Sequence, residues 1–410
     1  RDMKNRIRSI IYTMKPILML EHIFGINRVN LIDHEMTSLT KRIMKVISVL
    51  IASIFVSLHI FLIQHILRVN TASKYYYMDI IEHVPNAIIL TQYVASIVST
   101  TFMSNGKNIR IFTAFTKMDS ITLVNTNQEF YKKFRRQTNF NTIVLLLWHL
   151  IMYVIVVFFI GDTHNSKNYI FMSIYVFQGL ELTILLSLID MLTVRMVLIN
   201  DHLTKFITEK NKNKSIVSNN KEIGGQNQKS GYKVINKFEP LPKTSFPKNV
   251  KIQCLALSYD LIGETCLLIN DVFNFYMLTV IFTLFIYMVI AIWTCLYYFR
   301  TLNIQFASLM TTFIWCLQFI LGVVILCFTC EKLLNSRKKT KRLVNEIIMD
   351  YDIIREIRIE AKVFMELIEA WPLGISVYDM FSVDTSLILQ FASVATTYLI
   401  IIVQICSFVK

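Results

Sequence analysis

Glycine is scarce in this chain, with only 10 among 410 residues, and none of it forms a loop that would cradle a phosphate. The sequence also has no H-E-x-x-H and no G-x-S-x-G. Zinc-protease and hydrolase chemistry therefore have no carrier, and nothing points to an enzyme or to a bound cofactor. Charge is in short supply as well: 17% of residues are charged, 54% are hydrophobic, and the mean hydropathy is +0.50. That balance is too apolar for a soluble protein of this length, so an integral membrane protein is expected. The net charge of +14 comes from basic stripes alternating with apolar runs, the pattern of membrane-protein loops rather than of a nucleic-acid-binding face. The cysteines number seven, an odd count. Cys295, Cys316, Cys327, Cys330 and Cys406 lie inside apolar runs, so no disulfide framework follows, and the lone C-x-x-C at Cys327 and Cys330 lacks the second ligand pair of a zinc site. The opening "RDMKNRIRSII" has no uninterrupted apolar core and no cleavage site. No leader is expected to be removed, and the initial Arg1 suggests that a short start precedes it.

Seven apolar segments are each long enough to cross a bilayer: residues 43–67, 80–104, 140–160, 169–192, 272–299, 306–330 and 386–409. They must be helical, because an unpaired backbone amide in lipid costs several kcal/mol. Lys and Arg crowd the segment before the first span and the connection between the second and third, whereas the alternate connections hold only Arg68 and Lys74, Lys167, and Arg300. The positive-inside rule then puts the amino terminus in the cytoplasm and the carboxyl terminus outside. The expected fold is an all-α membrane protein of seven transmembrane helices with cytoplasmic helical extensions. A G-protein-coupled receptor has the opposite orientation, and neither D-R-Y after the third span nor N-P-x-x-Y in the seventh is present. A transporter would be expected to show an inverted repeat or a pair of broken spans, and neither is visible.

The chain is expected to divide into a cytoplasmic N-terminal segment (1–42), a six-helix transmembrane bundle (43–330), a cytoplasmic helical anchor (331–385) and a last helix (386–410). Within the bundle, residues from about 208 to 250, with "NKNKSIVSNNKEIGGQNQKSG", are too polar to fold and read as a disordered linker. After it, "CLALSYDLIGETCLLIND" and "EKLLNSRKKTKRLVNEIIMDYDIIREIRIEAKVFMELIEAW" carry apolar residues at helical spacing, so both read as amphipathic helices on which chains can pack. A membrane-surface helix is the alternative for the second.

Polar residues inside a membrane are functional hypotheses by default. Gln178 and Glu181 sit three apart in the outer half of the fourth span. Trp293 and Tyr297 lie near the outer end of the fifth, and Thr311, Trp315 and Gln318 share one face of the sixth. Together these amides, hydroxyls, aromatic faces and one carboxylate describe a small-molecule pocket, with hydrogen bonding between helices as the alternative. His59, His65 and His149 read as hydrogen-bonded members of the bundle rather than metal ligands. In the last span, Thr397, Ile401, Gln404 and Phe408 form one stripe, beside small Ala392, Ser393 and Ala395 that allow close helix approach. Several copies around an axis would line a pore with Thr and Gln behind an apolar ring; equally, Gln404 would bond a neighbouring helix of its own subunit.

The ending "TTYLIIIVQ", with Thr397, Tyr398 and Gln404, and the approach "PLGISVYDMFSVDTSLILQFASVA" resemble insect gustatory receptors. The close match spans about the last forty residues, and the topology agrees throughout. The resemblance implies a homotetrameric, ligand-gated, non-selective cation channel related in architecture to insect odorant receptors. Its partners would be a small-molecule tastant, permeant cations and membrane lipids, and its place the plasma membrane of chemosensory neurons. Assembly with other gustatory receptors is the alternative to the homotetramer. The resemblance also implies that Gln404 lines the pore and that the next residue is the gate. That residue is usually Phe in the family and is Ile405 here, so Phe408 one turn later is a second candidate. The sugar branch usually has an acid after the motif tyrosine, where this chain has Leu399. A bitter or plant-derived ligand is thus expected first and a sugar or polyol second.

Overall fold

The structure is a computed structural model and describes residues 2–26, 28, 38–70, 76–103, 105–122, 128–160, 165–219, 251–301 and 306–408. Ten α-helices follow one another among these residues: α1 (Asp2–Ile23), α2 (Ser38–Asn70), α3 (Tyr76–Val98), α4 (Asn105–Ile121), α5 (Gln128–Ile160), α6 (Asn165–Asn219), α7 (Ile252–Thr301), α8 (Phe306–Met349), α9 (Arg355–Ala370) and α10 (Thr385–Phe408). All seven apolar segments are helical wherever they are described, as the need to pair backbone groups in lipid requires. α2, α5, α6, α7 and α8 are each long and apolar enough to cross a membrane. α3 runs into a π-helical turn, Ser99–Met103, and meets α4 at a 69° bend. Such a turn interrupts the regular hydrogen-bond ladder and is a recognised cause of sharp kinks.

α6, α7 and α8 have 55, 50 and 44 residues. At about 1.5 Å per residue each exceeds twice the roughly 30 Å of bilayer hydrocarbon, so all three project well beyond it, α6 and α8 with Lys-rich ends. The amphipathic stretches expected after the linker are therefore largely continuations: 252–271 belongs to α7 and 331–349 to α8, with α9 as a separate helix. The expected linker from 208 is helical as far as Asn219, because α6 continues; residues 220–250 lie outside the described residues.

α1 is an integral part of the bundle. Ile10, Met14, Ile17, Leu18 and Glu21 are buried at helical spacing, and the helix packs against α4, α5 and α6. α6 is the hub, touching α1, α2, α3, α5, α7 and α8. A buried bidentate pair joins α6 to α4: Arg195 donates to both Asp119 oxygens at 2.9 and 2.7 Å, and the Tyr131 hydroxyl on α5 donates to the same carboxylate at 2.6 Å. Burying an ion pair is tolerable only with this kind of saturation.

Between α9 and α10 the chain is strapped onto α7. The Trp371 ring lies directly on Gly263, where an added Cβ would come within 2.5 Å of it, and its Nε1 donates to Asp260 at 2.8 Å. A short hairpin follows, β1 (Ser376–Val377) against β2 (Phe381–Ser382), turned through Tyr378 and Asp379 at φ of 47° and 55°. Two successive positive φ values suit the right-handed twist of a tight hairpin. Asn274 Oδ1 accepts from Tyr378 N at 3.1 Å, and Asn270 Nδ2 donates to Gly374 O at 3.2 Å, fixing the hairpin to α7. Asp384 then caps α10, accepting from Ser386 N at 2.9 Å. Hydrogen bonds from Ser386 and Ser382 hold its carboxyl below the usual carboxylate range.

Candidate functional site

A cleft of about 420 Å³ opens among α5, α6, α7 and α8. Its floor is α6, from Tyr175 past Gln178, Leu182 and Leu186 to Asp190; Trp148 and Val144 of α5 form one wall and Leu321 and Ile325 of α8 the other. Gly179 lets α5 close on this floor, since an added Cβ would lie 2.7 Å from a Leu145 methyl and 2.8 Å from the His149 ring. His149 presents Nδ1 to Leu145 O at 2.9 Å and Nε2 to Tyr175 O at 3.1 Å. A neutral imidazole has one N–H, so it donates to one of these carbonyls at a time. The volume lies within the range of small-molecule pockets, and the lining is mostly apolar with a few polar groups, as such sites usually are.

Of the residues expected to form a pocket, Gln178 and Gln318 meet at this cleft. The Gln178 carbonyl oxygen of the backbone accepts from the Tyr276 hydroxyl at 3.0 Å, while its side-chain nitrogen and the side-chain oxygen of Gln318 have no hydrogen-bond partner. Trp315 is buried just beyond the cleft, stacked on Tyr175 with centroids 4.0 Å apart. There Tyr175 donates to Asn86 Oδ1 at 2.6 Å and shares a hydroxyl contact with Tyr287, whose ring stacks on Phe319 at 5.0 Å. The aromatic depth of the bundle is thus filled, and the open volume runs from it toward Asp190 and Thr329, nearer the Lys-rich ends than the outer halves of the spans. Trp293 is exposed. Tyr297 and Thr311 lie on α7 and α8, but their side chains fall outside the described residues.

Glu181 takes a different part. Positions three apart on a helix differ by about 60°, and α6 has neighbours around it, so Gln178 and Glu181 meet different partners. Arg28, just past α1, donates to Glu181 and also to Glu21 Oε1 at 2.7 Å, while its guanidinium lies 4.7 Å from the centre of the Phe273 ring. Arg28 is 5% exposed and both carboxylates 1%, so the cluster clamps α1 to α6 and α7 from within. In the sequence Arg28 counts only among the Lys and Arg residues before the first span, and Glu21 carries no assignment. The one available signal was the 10, 14, 17, 18, 21 stripe that buries this helix.

On α10 the side chains of Thr397, Ile401 and Gln404 are exposed along one flank. Tyr398 turns toward α7, its ring edge-on to Phe285 at 5.2 Å. Ile405 and Phe408 lie on the helix, but their side chains are outside the described residues. Within the chain α10 packs on α7 and α8, and Leu389, Leu399 and Ile400 are left exposed as well.

The sequence matches the profile of the 7tm Chemosensory receptor family over residues 15–406. The chain belongs to that family. The receptor is also similar in fold to the insect olfactory receptor OR5 from Machilis hrabei, solved in complex with eugenol, with a TM-score of 0.53 over 97% of this chain and 98% of that one at 14% identity. No curated protein matches the receptor's sequence. It is a multi-pass membrane protein of a receptor family, and its polar intramembrane residues are its candidate functional groups.

Proposed function

We propose that this receptor is a ligand-gated, non-selective cation channel of the gustatory type, assembled as a tetramer with its Lys-rich extensions in the cytoplasm. The observation that carries the reading is α10: a 24-residue apolar helix at the margin of its own chain, with Thr397, Ile401 and Gln404 exposed along one flank. A polar stripe is costly against lipid and favourable against water or other copies, so four such helices around an axis make a pore lined by hydroxyls and amides. The gate is an apolar ring at Ile405 or Phe408. The strap from Trp371 through the hairpin to Asp384 ties the base of α10 to α7, giving movements of the bundle a direct path to the pore helix.

The ligand occupies the cleft between α5 and α8. Because Glu181 is engaged by Arg28 and the walls are mainly Val, Leu, Ile and Trp, the site suits a lipophilic plant-derived or bitter compound better than a sugar. A polyol would leave several hydroxyls without partners there. The setting is the plasma membrane of chemosensory neurons, alone or with other gustatory receptors. The test is electrical: cells expressing only this chain should pass cation current when a panel of bitter and lipophilic compounds is applied. Absence of current from well-expressed tetramers, alone and with partner receptors, would overturn the reading.

A further inference from the structure

The cleft does not open along the bundle axis. Its mouth lies between α5 and α8, where Val144, Trp148, Leu321 and Ile325 are exposed, and all four belong to the apolar stretches that span the membrane. Exposed apolar side chains at that depth face acyl chains. From Gln318 to Thr329 the lining on α8 runs over twelve residues, about 16 Å of helix, so the cavity is an elongated slot parallel to the lipids. At one end Gln178 Nε2 is a donor without an acceptor and Gln318 Oε1 an acceptor without a donor. Both atoms are covered as they stand, so a small rotation of each amide turns them into the slot, where a ligand supplies the partners that burial denies them.

A hydroxyl supplies both, accepting from Gln178 and donating to Gln318. An ester, aldehyde or carboxylate has no proton to donate, and a hydrocarbon has neither function. We infer that the receptor's cleft takes long-chain aliphatic alcohols, admitted sideways from the bilayer between α5 and α8, with the hydroxyl at Gln178 and Gln318 and the chain along Leu182, Leu186 and Ile325. This inference rests on the reading of the cleft as the ligand site and deepens it by naming the ligand class and its route.

The experiment uses the full-length receptor in lipid nanodiscs with 11-bromo-undecanol, whose bromine quenches Trp148 at the mouth. A Trp148→Phe protein identifies that residue's share of the signal, because Trp293, Trp315 and Trp371 also emit. Quenching should saturate, be reversed by unbrominated alcohols, and tighten roughly fourfold per added methylene from hexanol until the slot is full. Gln178→Leu and Gln318→Leu should each weaken binding about tenfold without affecting a bromoalkane that has no hydroxyl. Ile325→Phe, at an exposed position that tolerates bulk, should narrow the mouth and slow association. Quenching that rises linearly without saturation, equal for alcohol and alkane and unchanged in all three variants, would mean partition into lipid only and overturn the inference. Current evoked by other tastants alongside that result would leave the channel reading standing. Saturable binding of alcohols that no compound converts into current would support the site and count against the channel.

Discussion

Replacing Arg28 with methionine keeps an unbranched apolar stem but removes the guanidinium, and with it the contact on Phe273 and the one cation that, among the described residues, balances Glu21 and Glu181. Both carboxylates are 1% exposed, so water cannot take the place of the guanidinium. Breaking a buried pair in this way costs about 3–5 kcal/mol, a large part of the roughly 5–15 kcal/mol that holds a typical domain together. The loss should release α1 from α6 and α7, giving a protein that reaches the surface poorly and melts several degrees lower in detergent, as followed by fluorescence-detected size exclusion. Glu21→Gln is the informative companion: it leaves one cation facing one anion, keeps the shape, and should melt close to the wild type. The triple change Arg28→Met, Glu21→Gln, Glu181→Gln should recover much of what Arg28→Met loses, since no uncompensated charge remains. If Arg28→Met melts like the wild type, the clamp contributes nothing and the account of α1 is wrong.

Gly263→Ala places a methyl within 2.5 Å of the Trp371 ring, so the indole must move off α7. A cost of about 1–3 kcal/mol is expected from overpacking, read as a lower melting temperature and faster proteolysis between α9 and α10. Asp384→Ala removes the cap of α10 and should cost about 1 kcal/mol at neutral pH. Because the folded carboxyl lies below its usual range, this contribution is present above the unfolded value and is lost as pH falls through the folded one. Wild type and variant should therefore converge in acid; an equal gap at all pH values would contradict the charged cap.

The helical architecture was largely legible because lipid forces apolar runs of about twenty residues into helices, and each of the seven runs found its helix. The extensions of α7 and α8 were recognised by their periodicity, whereas that of α6 was read from about residue 208 as linker because its Asn and Lys content outweighed the absence of any glycine or proline from there to Asn219. The site was legible in part. Gln178 and Gln318 stood out as amides in hydrocarbon, and they do share a cleft. Glu181 stood out for the same reason but meets Arg28, a partner 153 residues away that counted in the sequence only as one of the basic residues before the first span. Pairings at that separation leave no local pattern. The hairpin was equally hidden: two residues per strand are too few for alternation, and its positive φ values fall on Tyr378 and Asp379 rather than on glycine.

The pore assignment is most directly tested by recording from Gln404→Glu channels that reach the surface normally. Four carboxylates around a permeation path would raise divalent-cation permeability and sharpen block by divalent ions, while the ligand concentration giving half-maximal current stays near the wild-type value. Selectivity and block identical to wild type in well-expressed Gln404→Glu channels would contradict a pore lined by α10.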